Sequence, residues 1–236
     1  MNPRRLRPLL GAALLAIATL SAALVTPAAS AGSVEPIELA LLSVNDFHGE
    51  IDDATTVQFA GTIEKQRALH GEDSTLVLSA GDILKADQGT TQNPRSLHFV
   101  PTFDVLNALD VRASAVGNHE FHNWYGALKT TIPAAADFPL LSANILKSNA
   151  PQFSAYEIFD VAGLEVAVIG ATTRETSILD PRVIACGLKF TDPVDAVNAT
   201  ATNLTALPDP PDIIVAIYHK VARAPASTTT SSASAH

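Results

Sequence analysis

From Ile37 to about Tyr218 the chain alternates short apolar runs with longer segments in which apolar residues recur at helical spacing. Runs at 37–44, 75–80, 112–116, 139–143 and 213–218 are four to eight residues long and rich in Leu, Val and Ile, so they predict buried strands. Segments 57–69, 102–109 and 124–136 predict the intervening helices. Strand and helix in alternation predict an α/β sheet. Two further runs, 156–161 and 164–169, flank Ala162-Gly163 and predict a hairpin closed by a two-residue turn. Asp192-Pro193 supplies a cap and a first helical residue for a helix reaching about Leu207, where Pro208 to Pro211 end it.

The two ends do not follow this pattern. Arg4, Arg5 and Arg7 precede the apolar run Leu9 to Leu20, and Ala29-Ser30-Ala31 offers small residues at a cleavage site, so 1–31 predicts a signal peptide. The run is shorter than the roughly 20 residues that span a bilayer, which predicts export without stable membrane insertion: secreted, periplasmic or at the cell surface. Residues 221–236 are polar and of low complexity and predict a disordered tail, leaving one domain over 37–220. Removing 1–31 takes away three arginines and no acids, so 15 basic and 24 acidic residues become 12 and 24, and the net charge moves from -9 to -12. Such a surface repels nucleic acid and anionic membranes, and an anionic substrate needs a local positive centre such as a bound cation. Cys186 is the sole cysteine, so no internal disulfide can form and stability must come from the core.

Four polar clusters fall at the C-terminal ends of expected strands, where open α/β sheets build their sites. They are Asp46-Phe47-His48, Gly81-Asp82, Gly117-Asn118-His119-Glu120 and His219. Parallel neighbouring strands would bring these ends into one cavity. In an extended segment Asp46 and His48 project to one side and Phe47 to the other, so the pair can hold one cation. Asp82, with two carboxylate oxygens, can bridge to a second cation completed by the Asn118 amide and the His219 imidazole. Mixed oxygen and nitrogen ligands without thiolate suit Mn, Zn, Co, Fe or Ni. Two such ions about 3.5 to 4 Å apart form a site for phosphoryl displacement, with His119 facing the phosphate.

At this point the sequence resembles a known family. Asp-Phe-His-Gly at 46–49, Ser-Ala-Gly-Asp at 79–82 and Val-Gly-Asn-His-Glu-Phe at 116–121 are similar to three successive motifs of the 5'-nucleotidase and UDP-sugar hydrolase metallophosphoesterases. Leu106 to Leu109, Ser142-Ala143-Asn144 and Gly170 to Thr173 fit as well. The resemblance implies a calcineurin-like sandwich of sheets flanked by helices, incomplete at the C-terminus. It implies metal-dependent hydrolysis of a nucleotide or another small phosphate ester. By the same resemblance Asp46 and His48 match ligands of one metal, Asp82 the bridge, Asn118 and His219 ligands of the other, and His119 the histidine that stabilises the transition state.

Two departures qualify that reading. The family orients the catalytic histidine with an aspartate where this chain has His122, and a neutral imidazole cannot stabilise an imidazolium as a carboxylate does. The family also has a Gly-His-x-His motif after the ligand matched by His219, and this sequence has none. A truncated, non-catalytic relative that binds one metal or none is therefore the alternative expectation. A closed metal-binding module is a third, which the open ligand set disfavours.

Overall fold

The computed structural model describes residues 36–51, 53–84, 100–123 and 125–220; the expected leader, the expected tail and His98 lie outside them. The first strands are β1 (Ala40–Val44), β2 (Thr75–Ser79), β3 (Val111–Ala115) and β4 (Leu140–Leu141), which form a parallel sheet in that order. Helix α1 (Asp53–His70) joins β1 to β2, α2 (Val100–Ala108) precedes β3, and α3 (Tyr125–Lys129) and α4 (Thr131–Ala135) lie between β3 and β4. Next come a short antiparallel pair, β5 (Ile145–Lys147) with β6 (Ala150–Pro151), and the hairpin of β7 (Tyr156–Val161) and β8 (Leu164–Thr172). Two single-turn helices, α5 (Thr176–Leu179) and α6 (Arg182–Ala185), lead to β9 (Leu188–Phe190), which pairs with β5. Helix α7 (Pro193–Thr205) then feeds β10 (Ile213–His219), parallel to β8.

Period-two alternation in the strands builds the layers. Leu76 and Leu78 of β2 face inward with Ala113, Ala115 and Leu141, and meet Phe159, Val161, Val166, Val168 and Ile217 of the second sheet. Val77, between them, points outward to Phe103, Leu106, Leu128 and Ile132 beneath the helices. On the far side Ala167, Ile169 and Ala171 of β8 pack on Val197 and Leu204 of α7. The order is helix, sheet, sheet, helix. Each fully buried leucine contributes about 1.5–3 kcal/mol to this stack.

The sheets approach most closely where β4 meets β8. A Cβ on Gly170 would lie 2.4 Å from the Leu141 carbonyl oxygen, and the Ala143 N–H donates to the Gly170 carbonyl at 2.8 Å. Buried Asn144 completes the seam by donating to the Thr172 carbonyl at 2.8 Å and accepting from the Thr172 N–H at 2.9 Å.

The α/β class, the Ala162-Gly163 turn and the Asp192 cap agree with the sequence reading. Both turn residues have positive φ, and the Asp192 carboxylate accepts from the N–H groups of Val194 and Asp195 at 2.9 and 3.2 Å. Three expectations need correction. The helix expected over 124–136 is two short helices broken at Thr130, whose ψ of -64 comes with a φ of -131, and Pro133 has no N–H to continue an earlier turn. The strand expected over 139–143 stops after Leu141, because Ser142 to Asn144 cross to the second sheet. The last strand does not neighbour the first three; it lies in the second sheet beside β8.

Asp180, at the end of α5, is buried and held by a two-pronged pair with Arg182, at 2.8 Å to Nε and 2.7 Å to Nη2. Burial works to raise its pKa, but the Arg182 bonds and charge outweigh it and hold the carboxyl below its ordinary 3.8. A depressed folded-state pKa gives stability that is full above the unfolded value and lost as the pH falls through the folded one. Asp180→Asn is expected to lower unfolding free energy by about 2 kcal/mol at pH 7. The gap to wild type should close below the ordinary value of 3.8, which urea titrations at both pH values would read.

Candidate metal centre

The parallel register sets the site. Val44 pairs with Ser79, Ser79 with Ser114 and Ala115 with Leu141, so β1, β2 and β3 end level and release their loops side by side. The Asp46 N–H donates to the Gly81 carbonyl at 3.1 Å and the His48 N–H to the Asp82 carbonyl at 3.0 Å, tying the first loop to the second. Asp82 Oδ1 accepts from the His119 N–H at 2.8 Å, tying the second to the third. At Gly117 the approach is so tight that a Cβ would lie 2.1 Å from Asp82 Oδ1. His219 enters from β10, across the gap between the sheets.

Asp46 and His48 do converge, but not as members of an extended segment. The strand has already ended, and both take left-handed backbone conformations, with φ of 52 and 51. His48 Nε2 lies 3.7 Å from Asp46 Oδ1 and 3.5 Å from Asp82 Oδ2. Phe47 turns away and stacks at a tilt on Phe59, with 5.5 Å between ring centroids.

His219 is oriented by its other nitrogen. Nδ1 lies 3.1 Å from the Ala80 carbonyl, a pure acceptor, so Nδ1 carries the proton there. Nε2 then faces Asn118 Oδ1 at 3.0 Å and Asp82 Oδ2 at 3.3 Å. Burial works to lower the His219 pKa, but the bond and charge of Asp82 raise it above the ordinary value. For Asp82, burial works upward, and His219 with the His119 N–H holds it low. Burial, joined by the His48, His122 and His219 rings, holds His119 below its ordinary value despite the pull of Asp82.

Among the described residues, side-chain atoms that could hold a cation fall into two sets that share Asp82: His48, Asp82 and His119 in one, Asp46, Asp82 and His219 in the other, with atoms within 4.8 Å of one another in each. Among the described residues the ion pairs of Asp46 and Asp82 run to histidines alone. His48 Nε2 is buried without a hydrogen-bond partner. Two ligand atoms about 2.1 Å from one ion at a tetrahedral angle stand about 3.4 Å apart, so these separations fit divalent cations bound by nitrogen and oxygen.

The chain matches no protein-family model. It is 33% identical over 192 residues to protein UshA of Yersinia enterocolitica, covering 77% of this chain and 34% of that protein. It is 31% identical over 212 residues to the 5'-nucleotidase of Vibrio vulnificus, covering 86% and 37%. The chain belongs to the 5'-nucleotidase family of metallophosphoesterases. Solved structures share the fold: the calcineurin-like phosphoesterase YfkN of Bacillus subtilis superposes with a TM-score of 0.64 at 24% identity over 79% of this chain and 63% of that one. The 5'-nucleotidase precursor of Thermus thermophilus gives 0.59 at 24% identity over 77% and 37%. The chain spans about a third of the length of the curated relatives it matches.

Within this 5'-nucleotidase-type frame, the structure brings together every site residue singled out in the sequence. His122 stands behind His119, their rings edge to face at 4.7 Å, and Nδ1 of each is buried without a partner. One residue passed over in the motif has a defined place. Glu120 is fully buried and accepts from the N–H groups of Asp82 (3.1 Å), Leu84 (3.1 Å) and Gly117 (2.7 Å). Burial first, then the Asp82 charge, push its carboxyl up to about 7. The only cue in the sequence was an acid inside a motif that is otherwise turn and ligand.

Proposed function

We propose that this chain is an exported, metal-dependent phosphoric ester hydrolase of the 5'-nucleotidase type, acting on nucleotides through a two-cation site. The observation that carries the reading is the position of Asp82, the one carboxylate common to both ligand sets. The relatives named 5'-nucleotidase support the substrate class. The pattern at 1–31 supports export, and among the described residues no helix is long and apolar enough to cross a membrane.

As the family resemblance assigns them, Asp46, His48 and Asp82 would hold one cation and Asp82, Asn118 and His219 the other; by distance alone His48 groups with His119, and Asp46 with His219, around the same Asp82. When bound, divalent cations supply Lewis acidity toward water and the phosphate oxygens. The rest falls to the chain's own groups. His219, with Nδ1 anchored on the Ala80 carbonyl, turns Nε2 toward Asn118 Oδ1 and Asp82 Oδ2 as the nitrogen that would bind a cation. His119 Nε2, 3.8 Å from Asp82 Oδ2, stands beside the shared carboxylate as a ring able to hydrogen-bond a phosphate oxygen or the leaving oxygen.

A second reading, metal binding without turnover, is favoured by His122. Its unpartnered Nδ1 beside His119 offers no carboxylate to orient that ring. Manganese-dependent hydrolysis of AMP and of an aryl phosphate by the purified chain separates the two. Activity that His119→Ala lowers by roughly 100-fold supports the hydrolase. Well-folded, manganese-loaded protein with no turnover supports the second reading.

A further inference from the structure

Glu120 does nothing that the proposed reaction requires directly. It makes no ion pair with lysine or arginine among the described residues, its side chain is buried, and it belongs to neither ligand set. Three backbone N–H groups surround it instead. Oε2 accepts from Gly117 at 2.7 Å and Asp82 at 3.1 Å, and Oε1 accepts from Leu84 at 3.1 Å. Burial and the Asp82 charge push the carboxyl up, but the backbone bonds work against them: with donors on both oxygens the carboxylate is the form that fits, and a hydroxyl there would confront an N–H.

The bonds run between the loops after β2 and β3, and they are reciprocal. The third loop's Glu120 receives the backbone N–H of Asp82, while the Asp82 carboxylate receives the backbone N–H of His119 at 2.8 Å. Asp82 is held in a left-handed conformation, with φ of 53, which a non-glycine residue adopts at a cost of about 1 kcal/mol. Some external constraint must keep it there. The Glu120 carboxylate, bonded to the amides of Asp82 and of Leu84 two residues on, grips the turn on both sides of that strained residue. It also places a negative charge behind the shared ligand without itself entering either ligand set.

We infer that Glu120 is a positioning residue of the metal centre: it fixes the bridging carboxylate of Asp82 and raises cation affinity through the backbone and through its charge. The inference rests on the two-cation reading. Charge-assisted bonds to backbone amides are stronger than neutral ones, and supporting contacts behind ligands change metal affinity by roughly 10- to 100-fold.

The test compares wild type with Glu120→Gln and Glu120→Asp, using manganese alone as the probe. Calorimetric titration gives affinity, the visible spectrum of the cobalt form reports ligand geometry, and amide exchange of the metal-free protein reports the turn. Glu120→Gln keeps the shape but loses the charge and sets an amide N–H against an N–H. It should bind manganese roughly 10- to 100-fold more weakly, with an altered cobalt spectrum. Exchange should accelerate at Asp82, Leu84 and Gly117 while the strands stay protected. Glu120→Asp, which keeps the charge but reaches less far, should fall between the two, and it carries the comparison if the glutamine variant does not fold. Equal manganese affinity in wild type and a folded variant overturns this inference and leaves the two-cation reading intact. A wild-type chain that takes up no manganese overturns both.

Discussion

Replacing Asp82 with asparagine is expected to lower metal-dependent hydrolysis on the order of 100-fold and to remove at least one cation from the site. The substitution keeps size and shape. An asparagine oxygen can still accept the His119 N–H that Asp82 Oδ1 receives at 2.8 Å. What disappears is the second anionic oxygen, Oδ2, which lies 3.3 Å from His219, 3.5 Å from His48 and 3.8 Å from His119. An amide nitrogen in that place has protons where a cation must sit. The loss should therefore appear in metal content and rate together, with far-ultraviolet circular dichroism unchanged. A variant with full metal content and wild-type rate would contradict the shared role of Asp82.

Gly170→Ala should have the largest effect on stability, although the residue lies outside both ligand sets. Its added methyl would meet the Leu141 carbonyl oxygen at 2.4 Å, the Leu141 Cβ at 2.5 Å and the carbonyl carbon at 2.6 Å. Two of these are backbone atoms of a strand fixed in the other sheet, so no side-chain rotation relieves the clash. The sheets must part, and with them the seam of Asn144 and Thr172 and the alignment of His219 with the first three loops. Overpacking of this kind costs about 3 kcal/mol, which for a domain of this size is a fall in Tm of about 10 °C. Differential scanning calorimetry reads it, and an unchanged Tm would mean that the sheets slide apart freely.

The repeating parts of the fold were legible because they obey short-range rules. The runs at 75–80 and 112–116 became adjacent parallel strands whose residues alternate between the two core layers. Asp192 and Pro193 announced α7 because a cap and a fixed φ act within one turn. What failed depended on distant pairing. β5 and β9 join Ile145 to Phe190, and three-residue strands carry no period of their own. β10 reads as one more buried strand, and nothing within it says which sheet it enters.

The site shows the same division. Residue types and order singled out Asp46, His48, Asp82, Asn118, His119 and His219 as candidates, and the structure places them side by side. Two left-handed residues, rather than an extended segment, bring Asp46 and His48 together. Glu120 escaped because its partners are three backbone amides, which leave no trace in side-chain chemistry. Gly117 and Gly170 matched the family pattern, and only the packing shows why no Cβ fits at either place.

The central claim is a pair of cations sharing Asp82, and electron paramagnetic resonance of the purified chain titrated with manganese tests it most directly. Uptake of two ions per chain with a spin-coupled spectrum is expected, as for ions about 3.5 to 4 Å apart on one bridging carboxylate. Uptake of a single ion, or of two ions with independent spectra, would contradict it.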